Sequence, residues 1–202
     1  RKKISGNLSY LNNMSVRTCD QCRANNRRGT RCRLRTCTTG PYCWIHTKNL
    51  EGVRVKRSKI AGAGLGLYTV RARAPNSQVG EYTGELLDKR QLDALYPGDT
   101  LAPYALQLDP YRPNPLSKKL TKKKWVDARK TNSGNMRYIN TCDAPAGQRR
   151  MCRNNVYFHQ EGPKLVVKVC PGRIIKKNAE LYVSYERDYQ IGGQDVVPRE
   201  CD

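Results

Sequence analysis

Apolar and polar residues along this chain alternate in short bursts and seldom hold a helical period. Val53-Arg54-Val55 alternates with the two-residue repeat of a half-buried strand. Ile60-Ala61-Gly62-Ala63-Gly64-Leu65-Gly66-Leu67-Tyr68 predicts a glycine turn between two strands. Further strands are predicted at Val79–Leu87, Tyr104–Leu108, Trp125–Asp127, Leu165–Val169 and Leu181–Tyr185. Asp88 is placed to cap a short helix running to Leu95, stopped by Pro97-Gly98. Many short strands with little helix predict a mainly β fold of small curled sheets with few short helices. Four stretches differ in character: a flexible basic arm at 1–18, a Cys-rich module at 19–50, the strand-rich body at 51–190, and a tail at 191–202.

At 202 residues and 38% apolar composition the chain can bury one modest core, with Tyr plentiful and a single Phe. No apolar run approaches the roughly 18 residues of a membrane span. The first residues lack a signal-peptide core, so a soluble protein without a membrane partner is expected. Charge changes the picture more. The net charge is +21, and residues 1–59 hold 15 Lys/Arg against only Asp20 and Glu51. Arg23, Arg27, Arg28, Arg31, Arg33 and Arg35 crowd one segment. Such asymmetry favours a polyanion, nucleic acid first. The plainer reading is a solvated basic surface that keeps the chain in solution.

Nine cysteines are present, five of them between residues 19 and 43. Clustering beside a His points to metal in a reducing compartment rather than to a secreted disulfide framework. The spacing is Cys19-x2-Cys22-x9-Cys32-x4-Cys37-x5-Cys43-x2-His46. Zinc takes four such ligands in a tetrahedron, and the preferred set is Cys22, Cys32, Cys43 and His46. Cys19 and Cys37 stay open as alternative ligands, or as a disulfide or free-thiol pair left over. The Gly29-Thr30-Arg31-Cys32 and Tyr42-Cys43-Trp44-x-His46 phrasing resembles small Cys3His knuckles of large DNA viruses and some microbial eukaryotes.

Three further strings occur in a telling order: Gly64-Leu65-Gly66, Arg137-Tyr138-Ile139-Asn140, and Glu180-Leu181-Tyr182-Val183-Ser184-Tyr185. With Glu81-Tyr82-Thr83-Gly84-Glu85, Pro103-Tyr104 and Trp125-Val126-Asp127-Ala128 between them, they resemble the SET-domain protein lysine methyltransferases over residues 53–190. Each string alone suits a turn or a core strand; their joint order carries the resemblance. It implies a SET fold closed by a C-terminal pseudoknot, with S-adenosylmethionine as cofactor. By the resemblance, Gly64, Leu65, Gly66, Tyr104, Arg137, Tyr138, Asn140 and Thr141 form the cofactor site, and Tyr189 stacks on the adenine. Tyr82, Val183, Tyr185 and Phe158 line the lysine channel, with Tyr185 and Tyr82 as the catalytic pair. The implied reaction is an in-line displacement in which positioning and dipoles outweigh acid–base help. His159 is not needed as a base and is expected on a strand surface. Val183, where relatives often carry Phe or Tyr, implies methylation beyond the first step.

The chain also departs from the family pattern. Thr141 stands where His is usual, and a basic insert, Ala146 to Arg153, displaces the second Asn of the family to Asn155. The Cys-rich segment that elsewhere follows the domain is missing, though a zinc joining Cys142 and Cys201 with two other ligands is conceivable. Without it, residues 186–202 close the channel by packing or order only with substrate. The expected substrate is a histone tail, with nucleosomal DNA gripped by the Arg23–Arg35 segment and the Lys118–Lys124 loop. That implies a nuclear location, the host nucleus if the source is viral. Two other readings stay open: an inactive SET fold that binds DNA or chromatin, and a methyltransferase for a non-histone basic protein.

Overall fold

The computed structural model describes residues 15–97, 102–113, 118–143, 152–185, 190–191, 194–195 and 201. Its strands are β1 (Asp20–Gln21), β2 (Arg35–Thr36), β3 (Val53–Arg57), β4 (Leu65–Thr69), β5 (Gln78–Glu81), β6 (Glu85–Leu87), β7 (Ala105–Leu108), β8 (Lys124–Asp127), β9 (Val156–Glu161), β10 (Lys164–Val169), β11 (Gln190–Ile191) and β12 (Gln194–Asp195). Two short helices, Trp44–His46 and Lys89–Leu95, a π-helical segment at Thr47–Glu51 and a 3-10 turn at Met136–Tyr138 complete the inventory among the described residues. The strands pair antiparallel into small sheets, β1-β2, β3-β4, β5-β10-β9, β6-β8-β7 and β11-β12. None closes into a barrel. This is the mainly β, small-sheet class expected from the sequence.

The elements follow from local chemistry. Asp88 accepts the Gln91 N–H at 2.9 Å while the Gln91 side chain accepts the Asp88 N–H at 2.9 Å, a reciprocal cap on the Lys89–Leu95 helix. The single strand predicted over 79–87 is two strands in different sheets. The break falls at Tyr82-Thr83-Gly84, where Gly84 lies so close to the Asp127 backbone that a Cβ would collide with it. There the chain leaves β10 and joins β8. One contiguous core, including Val53, Leu67, Val156, Val167, Leu181 and Val183, lies where these sheets meet.

The strand predicted at Leu181–Tyr185 is instead an extended segment held by isolated pairings, because its neighbours come from three separate places. Glu180 bridges Tyr68, and Tyr182 bridges Asn140. The Leu181 N–H donates to the Leu67 carbonyl (2.8 Å) and the Val183 N–H to Asn140 (3.0 Å). From the other side, the N–H groups of Asn155 and Val156 donate to the Tyr182 carbonyl at 2.9 and 3.0 Å. The segment thus lies between the two flanks of a loop that the Cys142–Cys152 disulfide closes covalently. This is the crossing expected of a C-terminal pseudoknot.

One expectation about the ends is corrected, and two alternatives left open for the cysteines are decided. Residues 15–18, assigned to a flexible arm, are docked: the Val16 N–H donates to Arg129 and the Thr131 N–H to Val16, both at 2.9 Å. The rest of that arm lies outside the described residues. Cys19 and Cys37 are not metal ligands but a disulfide. Cys142 and Cys201 do not share a metal either, since Cys142 pairs with Cys152 and Cys201 with Cys170. Only Cys22, Cys32 and Cys43 remain as thiols, so cysteine usage no longer argues for a reducing compartment.

The Cys-rich module is fastened to the body. Asn135 donates to the Gly40 carbonyl (3.0 Å) and to the Glu51 carboxylate (2.6 Å). Thr18 donates to the Asn132 side chain at 2.7 Å, and Asn132 also donates to Asp20. Gly40 packs directly on the Asn132 backbone, leaving no room for a Cβ.

Candidate active site and metal cluster

The glycine turn, the Arg137–Asn140 string and the Glu180–Tyr185 string, far apart in sequence, meet on one side of the core. Gly64 takes a left-handed φ of 73°, and its carbonyl accepts the Ser58 N–H at 2.8 Å to close the turn. Leu65 then starts β4, half exposed, with its carbonyl accepting the Asn140 side-chain amide at 2.9 Å. Ile139, one residue before, accepts the Tyr185 hydroxyl on its carbonyl at 2.8 Å. Tyr185 is part-buried and packs on the core, and its own N–H donates to the Asp143 carboxylate at 2.9 Å. A hydroxyl dipole, an amide and two backbone carbonyls therefore converge at a partly open edge.

The core cluster on which Tyr185 packs also holds an aromatic pair. Tyr82 is buried, donates its hydroxyl to the Tyr104 carbonyl at 2.9 Å, and meets Phe158 edge-to-face at 5.5 Å between centroids. Burial raises the Tyr82 hydroxyl far above its ordinary range, so it stays neutral and serves as a wall. Val183 is fully buried in the same core. Arg137 is buried behind them, donating to the Ala128 carbonyl at 2.7 Å and to Ser15 at 2.7 Å. Its guanidinium stacks over Tyr104 and Tyr138 at 4.4 and 4.8 Å. It braces the two aromatic rings. Burial also raises the Tyr138 hydroxyl, against the opposing charge of Arg137. Thr141 accepts the Asp143 N–H at 3.0 Å. Tyr189 lies outside the described residues. His159 is exposed on β9, as expected, near Glu161.

Glu180 does more than its place in a string suggested. Its carboxylate, buried at 2% exposure, accepts four donors: the hydroxyls of Ser58 (2.6 Å), Tyr68 (2.7 Å) and Tyr182 (2.8 Å) and the Lys59 N–H (2.8 Å). Gly66 makes room for it, because a Cβ there would collide with Oε1 of Glu180. The glycine's missing side chain is thus used inside the protein, by the carboxylate, rather than by a ligand. Burial resists ionisation of Glu180, but the donors outweigh it and hold the carboxyl below its ordinary 4.5. The same pairing pushes the Tyr68 hydroxyl up to about 12, with burial the larger cause.

Asp143 performs the matching task at the other end. It accepts from the Ser184 hydroxyl (2.8 Å), the Tyr185 N–H (2.9 Å) and the Asn154 amide (2.8 Å). Asn155 pairs with the crossing segment through its side chain, accepting the Tyr182 N–H and donating to the Glu180 carbonyl, both at 2.9 Å. The sequence reading gave Asn155 a family role but missed Asp143 and Asn154. Their one signal was two polar pairs, Cys142-Asp143 and Asn154-Asn155, flanking an insert.

The module holds a separate cluster. The Sγ atoms of Cys22, Cys32 and Cys43 and a ring nitrogen of His46 all lie within 4.8 Å of one another. Individual edges are 3.5 Å from Cys22 and 3.2 Å from Cys43 to His46 Nδ1, and 4.0 Å between Cys32 and Cys43. A tetrahedral ion with bonds of about 2.0–2.3 Å requires ligand separations of roughly 3.5–3.8 Å. The cluster fits. The Cys43 N–H donates to Cys22 Sγ at 3.2 Å. At Cys22 burial opposes ionisation, but N–H groups of Cys43 and Ala24 outweigh it and lower the thiol; at Cys43 burial and the neighbouring Cys22 raise it. Without a cation one thiolate thus resists a second, a repulsion that a divalent ion removes.

No protein-family model matches the chain, and no curated protein matches it in sequence. Among solved structures, the methyltransferase domain of human PR domain-containing protein 2 is similar, at 19% identity with a TM-score of 0.46, covering 76% of this chain and 93% of that one. A likeness of this size carries no weight for function, which rests on the residues described above.

Glu180→Gln removes the charge and one acceptor atom from under four donors. It is expected to cost about 3 kcal/mol, read as a melting temperature lower by roughly 6–12 °C at neutral pH. Because the folded carboxyl titrates below 4.5, its stabilisation is full above that value and is lost as pH falls through the folded pKa. The melting-temperature gap between wild type and Glu180→Gln therefore narrows on acidification. A constant gap down to the acid limb contradicts this assignment.

Proposed function

We propose that the chain is an S-adenosylmethionine-dependent protein lysine N-methyltransferase of the SET type, acting on a histone lysine in nucleosomes. One observation carries this reading: Tyr185 and Asn140, matched independently from two distant strings, reach the same edge through Ile139 and Leu65. The edge suits the cofactor, since it offers an amide, backbone carbonyls and a hydroxyl on the same core cluster as the aromatic rings. When bound, S-adenosylmethionine supplies an electrophilic methyl group. The chain's own residues do the rest. Leu65 and Asn140 bind polar ends of the cofactor through backbone and amide groups. Tyr82 and Phe158 form the apolar wall of a lysine channel, and desolvation there favours the neutral amine. Tyr185 is held at its N–H by Asp143 and at its O–H by the Ile139 carbonyl, which leaves its hydroxyl oxygen as the group that would face the methyl group and the amine.

The basic segments supply the second half of the proposal. A basic enzyme meets a basic histone tail if Arg23–Arg35 and Lys118–Lys124 take nucleosomal DNA while the channel takes one lysine. A nuclear setting follows from that substrate. In the module, zinc is the ion that the Cys3His donor set favours, and its role there is to stabilise the fold.

With labelled cofactor, nucleosomes are expected to be methylated faster than free histones, and raised salt to reduce the nucleosome rate steeply. Tyr185→Phe is expected to lower turnover about a hundredfold and, through the lost bond to Ile139, to lower the melting temperature by no more than roughly 6 °C. Equal rates on tail peptide and nucleosome at every salt concentration count against the DNA grip. Val183 is smaller than the Phe or Tyr that SET relatives often carry at this place, so mass spectrometry after exhaustive turnover should show di- or trimethyl-lysine. A product arrested at monomethyl-lysine contradicts that role. Elemental analysis should find about one zinc per chain in wild type and little in Cys43→Ser; wild-type protein without zinc rejects the assignment.

A further inference from the structure

The Cys/His module presents an aromatic side chain that its own packing does not use. Trp44 opens the Trp44–His46 helix directly after the cluster residue Cys43 and is 67% exposed. Ile45 beside it and Leu34 are exposed as well. These residues stand among arginines because their backbones pair. The Arg23 N–H donates to the Pro41 carbonyl at 3.2 Å and the Cys22 N–H to Leu34 at 2.8 Å. The Cys43 N–H donates to Cys22 Sγ, so the segments bearing Arg23, Leu34 and Trp44 are immediate neighbours around one cluster.

All six arginines from Arg23 to Arg35 are exposed. Arg31 and Arg35 are steadied by carbonyls of Gln21, Cys22 and Cys19, at 2.9–3.2 Å. Across 19–50 these six and Lys48 face a single acid, Asp20, and Asp20 already accepts from Asn132. The patch is positive and almost uncompensated. Phosphate groups alone would satisfy the arginines and leave an exposed indole without purpose. A duplex hides the faces of its bases, whereas a single strand offers them for stacking.

We propose that this module is a single-stranded nucleic-acid site, in which a base stacks on Trp44 while the surrounding arginines hold the flanking phosphates. This deepens the polyanion reading of the same patch and does not depend on methyl transfer.

The full chain can be titrated with a 15-nucleotide single strand, with the duplex of the same sequence, and with vesicles containing phosphatidylserine. Fluorescence anisotropy of the labelled nucleic acid reports affinity, and intrinsic tryptophan emission reports stacking, with Trp125 as the internal reference. The expected results are tighter binding to the single strand than to the duplex, and quenching of emission on binding. Trp44→Leu should lose the quench and bind the single strand roughly tenfold more weakly, with duplex affinity unchanged; Trp44→Phe should retain most of the affinity. Equal single-strand affinity in Trp44→Leu, preference for the duplex, or binding to vesicles in place of nucleic acid each overturns the proposal. If neither nucleic acid binds, the polyanion reading falls with it; if the duplex binds and Trp44 is indifferent, only the stacking site falls.

Discussion

A carboxylate placed in the interior of a protein is costly unless donors surround it, and Glu180 has four. Three hydroxyls and one backbone N–H reach it from the turn after β3, from β4 and from its own segment. No purely apolar residue could join these pieces with the same geometry, because each donor would be left buried and unpaired. Gly66 is part of the same arrangement, since the carboxylate fills the space where a side chain would stand. The position of the whole crossing segment, and so of Tyr185, depends on this contact.

Asp143 anchors the far end of that segment and Asn155 its middle, so Glu180–Tyr185 is held by side chains and isolated backbone pairings where a sheet strand would be held by a continuous ladder. This suits an active site. Side-chain clamps can fix one extended segment between neighbours that run in different directions, which a regular sheet cannot do. The Cys142–Cys152 disulfide reinforces the clamp by closing the loop whose flanks carry Asp143, Asn154 and Asn155. Closing such a loop restricts the unfolded chain and steadies the flanks. Arg137 acts similarly on the other side, tying Tyr104 and Tyr138 to the 128–129 backbone and to Ser15.

Much of this was legible in the sequence because it is local. Period-two alternation marked β3, short apolar runs marked β8 and β10, the cap at Asp88 marked its helix, and cysteine spacing singled out Cys22, Cys32, Cys43 and His46. What was hidden is long-range. Nothing near Glu180 in the chain announces Tyr68, 112 residues away, and Asp143 carries no periodic signal. Disulfide partners cannot be deduced from cysteine positions: Cys19 and Cys37 stood out as the pair left over from the metal set, whereas Cys142–Cys152 and Cys170–Cys201 had no such signal. The strand predicted over 79–87 ran too long because the break at Gly84 is dictated by Asp127 across the sheet. Ser15 to Thr18 looked like loose chain because docking by backbone bonds leaves no hydrophobic pattern.

Calorimetric titration of S-adenosylmethionine into the intact chain tests most directly whether the three converging strings build a cofactor site. One equivalent is expected to bind wild type, and Asn140→Ala, which loses the amide linking this edge to Leu65, is expected to bind at least tenfold more weakly, roughly the worth of one well-placed polar contact. Absence of binding to well-folded wild type, or equal affinity in Asn140→Ala, would contradict it.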